Sequence, residues 1–362
     1  MDTTLFPTPV SSQGLVGIAK LAAEGQSLSE GHNVEYFDID NRSILTRCLS
    51  PRMPFTWMIN PYRGCEFACK YCYARYTHEF MEMRDGTEFE RKIYVKQHAG
   101  WLLRQELKKV RADEQIAIGT ATDPYQPAER RFQITRSLLE EFSIHQGLTI
   151  SMVTKSDLVL RDLDLLKTIA RHNKLTICIT VTTVNTELAR SLEPRAPRPD
   201  LRLKAVRRLV ESGVYAGVNC APVLPGITDS PADLERLVRD AAMAEAAFVW
   251  TNALFLKPCA EKIFMPFLEE KFPRLVPLYK ERYSKQAYLP PQYHKRISAL
   301  VRSYCEKHGI RPRNFLRPES LDRDGKKLQS QLDLFATLQP RPPQAESSRY
   351  MRAERPNIRN RP

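Results

Sequence analysis

No apolar run in this chain approaches the roughly 18 residues of a helical membrane span, so no membrane-embedded helix is expected. The longest early apolar stretch, Gly14–Ala23, is short and broken by Lys20. No charged segment of the kind that opens a secretory signal precedes it, and a cytoplasmic location is expected. Glycine is scarce, 14 residues against 26 prolines, the one departure from an ordinary globular composition. A disulfide framework is not expected either. The eight cysteines lack a secretory context, and 362 residues suffice to bury a core without covalent staples. By length the chain holds roughly one to three domains.

What is abundant is positive charge. Lys and Arg number 55 against 42 Asp and Glu, a net of +13. Such a surplus favours a polyanionic partner, above all a nucleic acid. Its distribution qualifies this. Residues 311–362 hold 12 basic and 6 acidic side chains, so the tail carries +6 of the +13.

Residues 1–50 lack sustained periodicity, and Met1–Glu30 is expected to be mostly disordered or loosely attached. From about Phe55 to Leu254, β-rich runs alternate with helical patterns. The expected strands are Thr56–Tyr62, Gln115–Gly119, Leu148–Val153, Leu175–Val181, Val214–Ala221 and Ala247–Leu254. Helices are expected over Val95–Lys109, Thr135–Ile144, Leu160–Arg171 and Asp200–Glu211. In Leu160–Arg171, Leu163, Leu166, Ile169 and Ala170 share one face. Asp229-Ser-Pro231 opens a further helix with a polar cap and a proline at its first turn. Six strands alternating with helices imply parallel pairing through right-handed crossovers, as a doubly wound sheet or a barrel-like arrangement. In both, ligands collect at the C-terminal strand ends. After Lys257, prolines punctuate short segments, and a last helix is expected over Gln292–Lys307. Beyond Arg317 the composition is polar, basic and proline-rich, the signature of a disordered tail. The chain thus divides into an N-terminal extension (1–50), a core (51–257), a helical extension (258–316) and the tail (317–362).

The densest chemical signal is Asn60-Pro-Tyr-Arg-Gly-Cys65-Glu-Phe-Ala-Cys69-Lys-Tyr-Cys72-Tyr73, three thiols spaced C-x3-C-x2-C. A zinc site needs four ligands, and nearby His78 could supply the last. A redox pair would need only two of the thiols. Chance clustering of buried cysteines suits the polar flanks poorly. A [4Fe–4S] cluster normally takes four cysteines, so three would leave one iron open to another ligand.

The spacing, with aromatic Tyr71 before the last cysteine, resembles the radical S-adenosylmethionine (SAM) superfamily. Gly119-Thr-Ala-Thr-Asp-Pro-Tyr-Gln-Pro-Ala-Glu129, Thr154-Lys-Ser-Asp157, Leu192-Glu-Pro-Arg195 and Ala221-Pro-Val-Leu-Pro-Gly-Ile-Thr-Asp229 resemble its branch related to spore photoproduct lyase and "DNA repair photolyase" proteins. The similarity spans roughly Phe55 to Lys257. It implies an α/β fold, a partial (β/α)6 barrel with a helical C-terminal extension and a disordered tail. It also implies reductive cleavage of SAM to methionine and a 5′-deoxyadenosyl radical, fed by an electron donor of flavodoxin or ferredoxin type.

Carried over residue by residue, the resemblance makes Cys65, Cys69 and Cys72 the iron ligands. SAM would chelate the fourth iron. The Tyr71 backbone would contact the adenine. Gly119, Thr120 and Thr122 would face the methionine amino group, although the family's usual Gly-Gly-Glu is absent. Lys155 would hold the SAM carboxylate as a fixed positive charge, and Thr182 or Thr183 would reach the ribose. Gly226 and Asp229 match the end of the family's fifth-strand adenine motif, with Asp for Glu. Spore photoproduct lyase carries a hydrogen-donating cysteine where Thr120 stands, so this chain is not expected to share that lyase's hydrogen source. Tyr73, Cys220 or Cys259 could donate instead, or simply pack in the core.

In the tail, Gln331-Leu-Asp-Leu-Phe335 resembles the pentapeptide that binds the bacterial sliding clamp. Its leucines and phenylalanine would fill an apolar groove. The expectation is a radical SAM enzyme acting on a nucleic acid, in the manner of a DNA-repair enzyme. The alternatives are the same chemistry on RNA, protein or a small molecule, or a non-catalytic zinc or nucleic-acid-binding adaptor.

Overall fold

The computed structural model describes residues 14–31, 33–50 and 53–310. The basic tail and its Gln331–Phe335 motif lie outside them. Eleven strands form two sheets: β1 (Ser27–Gly31), β2 (Val34–Asp38), β3 (Leu45–Arg47), β4 (Trp57–Ile59), β5 (Tyr62–Arg63), β6 (Lys92–Val95), β7 (Gln115–Ile118), β8 (Thr149–Thr154), β9 (Lys174–Thr180), β10 (Ala216–Val223) and β11 (Val249–Ala253).

The larger sheet has the order β11-β10-β9-β8-β7-β4-β3. From β4 to β11 every neighbour pair is parallel, and only edge strand β3 runs antiparallel. The order never reverses, so there is no switch point of the doubly wound kind. Right-handed crossovers that always step the same way place the helices on one face. The result is a partial barrel, open at its edges. Its strands are buried on both sides, as parallel strands require: on β9, Ile177 and Ile179 face one way, Cys178 and Thr180 the other, and all four are buried.

Two of the helices that follow β9 begin at side-chain caps. Asn185 accepts from the Glu187 and Leu188 amides, both at 3.1 Å, and opens the helix Thr186–Leu192. Ser230 accepts from the Asp233 amide at 3.1 Å and opens Pro231–Met243, with proline at the first turn. Helices Pro258–Lys271, Val276–Tyr283 and Pro291–Lys307 follow the last strand. Ile297 and Val301 are the buried stripe of the last one. Among the described residues no helix is long and apolar enough to cross a membrane.

The first 50 residues do more than their sequence announces. Gly17–Ala23 is a helix, and β1, β2, β6 and β5 form the second sheet. The loosely attached chain expected through Glu30 is therefore not found over residues 14–30. Strand β2 shows no alternating burial after Val34, so no period-2 pattern was there to read. Its pairing with β6 is made by backbone groups, which composition does not report.

Candidate active site

The cysteine loop leaves β5 at Gly64, whose φ is +84°. A β-carbon there would lie 2.7 Å from the Lys92 carbonyl and 2.8 Å from that of Phe89, so only glycine fits. The Gly64 carbonyl accepts from Thr122 Oγ1 at 2.6 Å and Gln126 Nε2 at 3.1 Å. The Cys65 amide donates to Phe89 O at 2.9 Å, and the Lys70 amide to Leu192 O at 2.9 Å. The Glu66 carboxylate accepts from the Ala128 amide at 2.7 Å and Tyr36 Oη at 3.0 Å. Arg75 Nη2 donates to Cys69 O at 3.1 Å and pairs with Glu90 at 2.6 Å. The thiols are thus carried on backbone fixed from several elements.

Cys65 and Cys69 are buried and Cys72 is half-buried. Burial pushes all three thiols up, Cys69 to about 12. Asp123, then Cys69 and Cys72, add to the effect at Cys65, and all three cysteines belong to one apolar cluster. Lys155 opposes the rise at Cys69 and Cys72, as does Arg75 at Cys72. Thiolates in such a space need a positive centre, and the irons of a cluster would supply it. The donor set and its cationic surround fit a [4Fe–4S] group. They suit zinc less well. Among the described residues no three His, Cys, Asp or Glu side chains converge on a single ion. His78 directs Nε2 to the Lys92 carbonyl at 3.0 Å, and burial pulls its pKa down to about 4.

Behind the loop lies a buried polar cluster. The Tyr71 hydroxyl donates to Glu193 Oε1 and lies 3.0 Å from Thr182 Oγ1. Thr182 Oγ1 also donates to Glu193 Oε1, at 2.8 Å. Arg202 Nη2 sits 2.6 Å from Glu193 Oε2, with both side chains almost wholly buried. Arg202 also donates to Pro197 O and Thr180 O. Burial would raise the Glu193 carboxyl, but Arg202 and Lys155 outweigh it and hold it below the usual range. Half-buried Lys155 follows β8 with its ammonium 5.7 Å over the Tyr71 ring. That ammonium makes no ion pair within 4.0 Å among the described residues. Burial would lower its pKa, but Cys69 and Glu193 raise it overall.

The other expected residues divide between this end of the barrel and elsewhere. Gly119 has φ +86°, and a β-carbon there would lie 2.6 Å from Val153 O. Thr120 Oγ1 accepts from Asn60 Nδ2 at 3.0 Å, and its carbonyl accepts from the Tyr73 hydroxyl. The Thr122 hydroxyl is spent on Gly64 O, and Thr183 Oγ1 accepts from the Asn185 amide at 3.1 Å. The Gly226 amide donates to Asp229 Oδ1 at 2.7 Å. Asp229 Oδ2 meets Tyr293 Oη at 2.8 Å and Arg296 at 3.2 Å, so this pair ties the fifth-strand loop to the last helix. Cys259 Sγ approaches the Tyr73 carbonyl at 3.6 Å. Cys220 instead packs in the main core beside Cys305, in a different apolar cluster from the three-cysteine loop.

Three participants were not singled out from the sequence. Asp123 accepts from Thr154 Oγ1 at 2.6 Å and from the Lys155 amide at 2.7 Å, fixing the end of β8. Glu193 sits inside a quoted motif without a role. Arg202 shares a helix face with Val206 and Leu209, and an arginine on an apolar stripe was the available sign of a buried partner.

The model of the Radical SAM superfamily matches residues 59–241. An uncharacterised protein of Mycobacterium tuberculosis (strain ATCC 25618 / H37Rv) is 35% identical over 257 residues, covering 70% of this chain and 75% of that protein. An uncharacterised protein of Methanocaldococcus jannaschii is 28% identical over 233 residues, 64% of this chain and 83% of the relative. Among solved structures, a Cys-to-Ser mutant of spore photoproduct lyase aligns with a TM-score of 0.59 at 16% identity, over 82% of this chain and 83% of that one. Another mutant of that lyase, with bound AdoMet and dinucleoside spore photoproduct, aligns at 0.58 and 16%, over 75% and 78%. These two likenesses bear on the fold. The family match runs from the end of β4 through β10, over half of the chain, and takes in the cysteine loop: the chain belongs to the Radical SAM superfamily.

Proposed function

We propose that Cys65, Cys69 and Cys72 hold a [4Fe–4S] cluster and that the chain cleaves SAM there to act on a nucleic acid. The observation that carries the cofactor half is the buried three-thiol loop at the C-terminal end of a parallel sheet, beside an unpaired lysine. When bound, cluster and SAM together supply reductive carbon–sulfur cleavage and a 5′-deoxyadenosyl radical. Everything else falls to the chain. Lys155 holds the SAM carboxylate with its free ammonium. Gly119–Thr122 faces the methionine amino group of SAM, and Gly226 and Asp229 belong to the adenine side. Leu192, Leu224, Leu254, Leu256 and Phe264 line the same cluster as the cysteines and keep water away. Thr182 acts through Tyr71 and Glu193, holding the aromatic residue of the loop in place. Thr183 is left with its turn.

Tyr73 is favoured as hydrogen donor over Cys220. It follows Cys72 directly, reaches the Thr120 carbonyl and has Cys259 against its own carbonyl, whereas Cys220 packs with Cys305. The nucleic-acid half rests on the +13 charge and on the fold shared with a spore photoproduct lyase solved with a bound dinucleoside spore photoproduct. A soluble flavodoxin- or ferredoxin-type protein supplies the electron.

The test is anaerobic reconstitution with iron, sulfide, dithionite and SAM, followed by chromatography for 5′-deoxyadenosine, with and without damaged or intact DNA and RNA. Wild-type protein should form 5′-deoxyadenosine, and faster with its substrate. Lys155→Ala should bind SAM at least about tenfold more weakly while keeping its iron, since one charge-assisted contact is lost. Unchanged SAM affinity in that variant would show that Lys155 does not hold the carboxylate.

Gln331–Phe335 is proposed to bind a bacterial sliding clamp. A pull-down should retain the clamp on the full chain and lose it with the Leu334→Ala/Phe335→Ala double variant. Equal retention by both would remove the clamp from the account.

A further inference from the structure

Five aromatic rings run side by side from the cysteine loop to the segment after the last parallel strand. Phe80 meets Tyr76 at 5.6 Å between centroids, edge to face. Tyr76 and Tyr73 are near parallel at 6.5 Å, and Tyr73 meets Phe255 at 5.9 Å. Phe255 stacks on Tyr288 at 4.2 Å and 20°. Three of these rings reach solvent, Phe80 by 63%, Tyr288 by 43% and Tyr73 by 40%. Rings of this size are ordinarily covered, and a contiguous exposed set marks a surface that meets something.

Two cations are set into the row. Lys257 Nζ lies 3.9 Å from the Tyr76 centroid and 5.7 Å from that of Phe255. Arg63, on β5 at the start of the cysteine loop, has a buried Nε with no hydrogen-bond partner. Neither cation forms an ion pair within 4.0 Å among the described residues. A purely structural lysine at a surface usually finds a carboxylate or points to water. This one lies flat against rings.

Exposed rings with interleaved unpaired cations suit one chemistry in particular. Flat π-faces take unstacked bases whatever their identity, and the cations take the phosphates between them. A base inside a duplex keeps both faces covered by its neighbours and cannot use such rings. The middle ring of the row stands at the chemistry. Tyr73 is bonded in sequence to Cys72, and its hydroxyl donates to Thr120 at the mouth of the barrel. We propose that Phe80, Tyr76, Tyr73, Phe255 and Tyr288, with Lys257 and Arg63, form a stacking platform for unpaired bases of a single-stranded or locally opened nucleic acid. This deepens the proposed function, on which it rests, by naming the state of the substrate.

The experiment measures anisotropy of a fluorescein-labelled oligothymidine with the full chain. An abasic strand of equal length, the matching duplex and polyglutamate serve as competitors. The oligothymidine should outcompete the other three. Phe80→Ala and Tyr288→Ala should each weaken its binding about tenfold, while Tyr288→Phe binds as wild type. Lys257→Gln should lower the slope of log affinity against log salt by about 0.7. Equal competition by the abasic strand or by polyglutamate would overturn the platform, leaving plain charge attraction. So would duplex bound as tightly as single strand, or aromatic variants that bind unchanged. The same wild-type preparation is assayed for 5′-deoxyadenosine from SAM. Failure there rejects the cofactor reading, whereas formation of 5′-deoxyadenosine with base-independent binding rejects the platform alone.

Discussion

Alanine at Cys65, Cys69 or Cys72 is expected to remove the iron from this protein and with it all SAM cleavage. Anaerobically reconstituted wild type should carry about four irons per chain, oxygen-labile, and each variant should fall to background. The fold should survive. The loop is fixed by the Cys65 and Lys70 amides, the Gly64 carbonyl and the Glu66 carboxylate, none of which is a thiol. Circular dichroism of the variants should therefore match wild type. Cys305→Ala, on the last helix, should keep its iron, so the loss reports ligation and not cysteine content. Stoichiometric zinc and no iron in the wild type would reverse the assignment. Against that outcome, no three His, Cys, Asp or Glu side chains among the described residues converge on a single ion.

The reach of the sequence followed from which signals are local. Each of the six parallel strands contained a β-rich run, and the longer crossover helices carried a stripe or a cap, so these were visible from within a short window, whereas the seven-residue helix Thr186–Leu192 was not expected. The spacing of Cys65, Cys69 and Cys72 is equally local. The four-stranded sheet was not visible, because β2 and β6 meet by backbone pairing and β2 lacks alternating burial. Choosing the barrel over the doubly wound sheet needed the strand order, which only pairing provides. Within the site, threonine at a strand end could mean ribose contact or packing. The structure has Thr182 bonded to Tyr71 and Glu193, a link across 111 residues in one case and 11 in the other. Cys220 illustrates the opposite limit. A strand residue faces one side or the other of the sheet, and a one-residue ambiguity in register decides whether it meets the barrel or the helices.

Glu193→Ala is expected to be the most destabilising single change outside the apolar core. It leaves the Arg202 guanidinium, about 1% exposed, with no anion. Breaking one side of such a pair costs about 3–5 kcal/mol. It also removes the acceptor of the Tyr71 and Thr182 hydroxyls, so the loop residue before Cys72 loses its anchor. Glu193→Gln keeps the shape but not the charge, and should cost less. The difference between wild type and Glu193→Gln depends on pH with a definite sign. The Glu193 carboxyl is held below its ordinary value in the folded protein, so the native state favours the carboxylate. Its stabilisation is full above the unfolded value of about 4.5 and is lost as pH falls through the folded one. Urea unfolding of wild type and Glu193→Gln should therefore differ at pH 7 and converge in acid. A second comparison separates stability from positioning. Replacing both partners, as Glu193→Leu with Arg202→Met, exchanges a buried ion pair for apolar volume and should recover much of the stability. It restores no acceptor for Tyr71, so SAM binding should stay weak in the refolded double variant. A Glu193→Ala penalty below about 1 kcal/mol would mean that water reaches Arg202 and that the pair is not the brace of the cysteine loop.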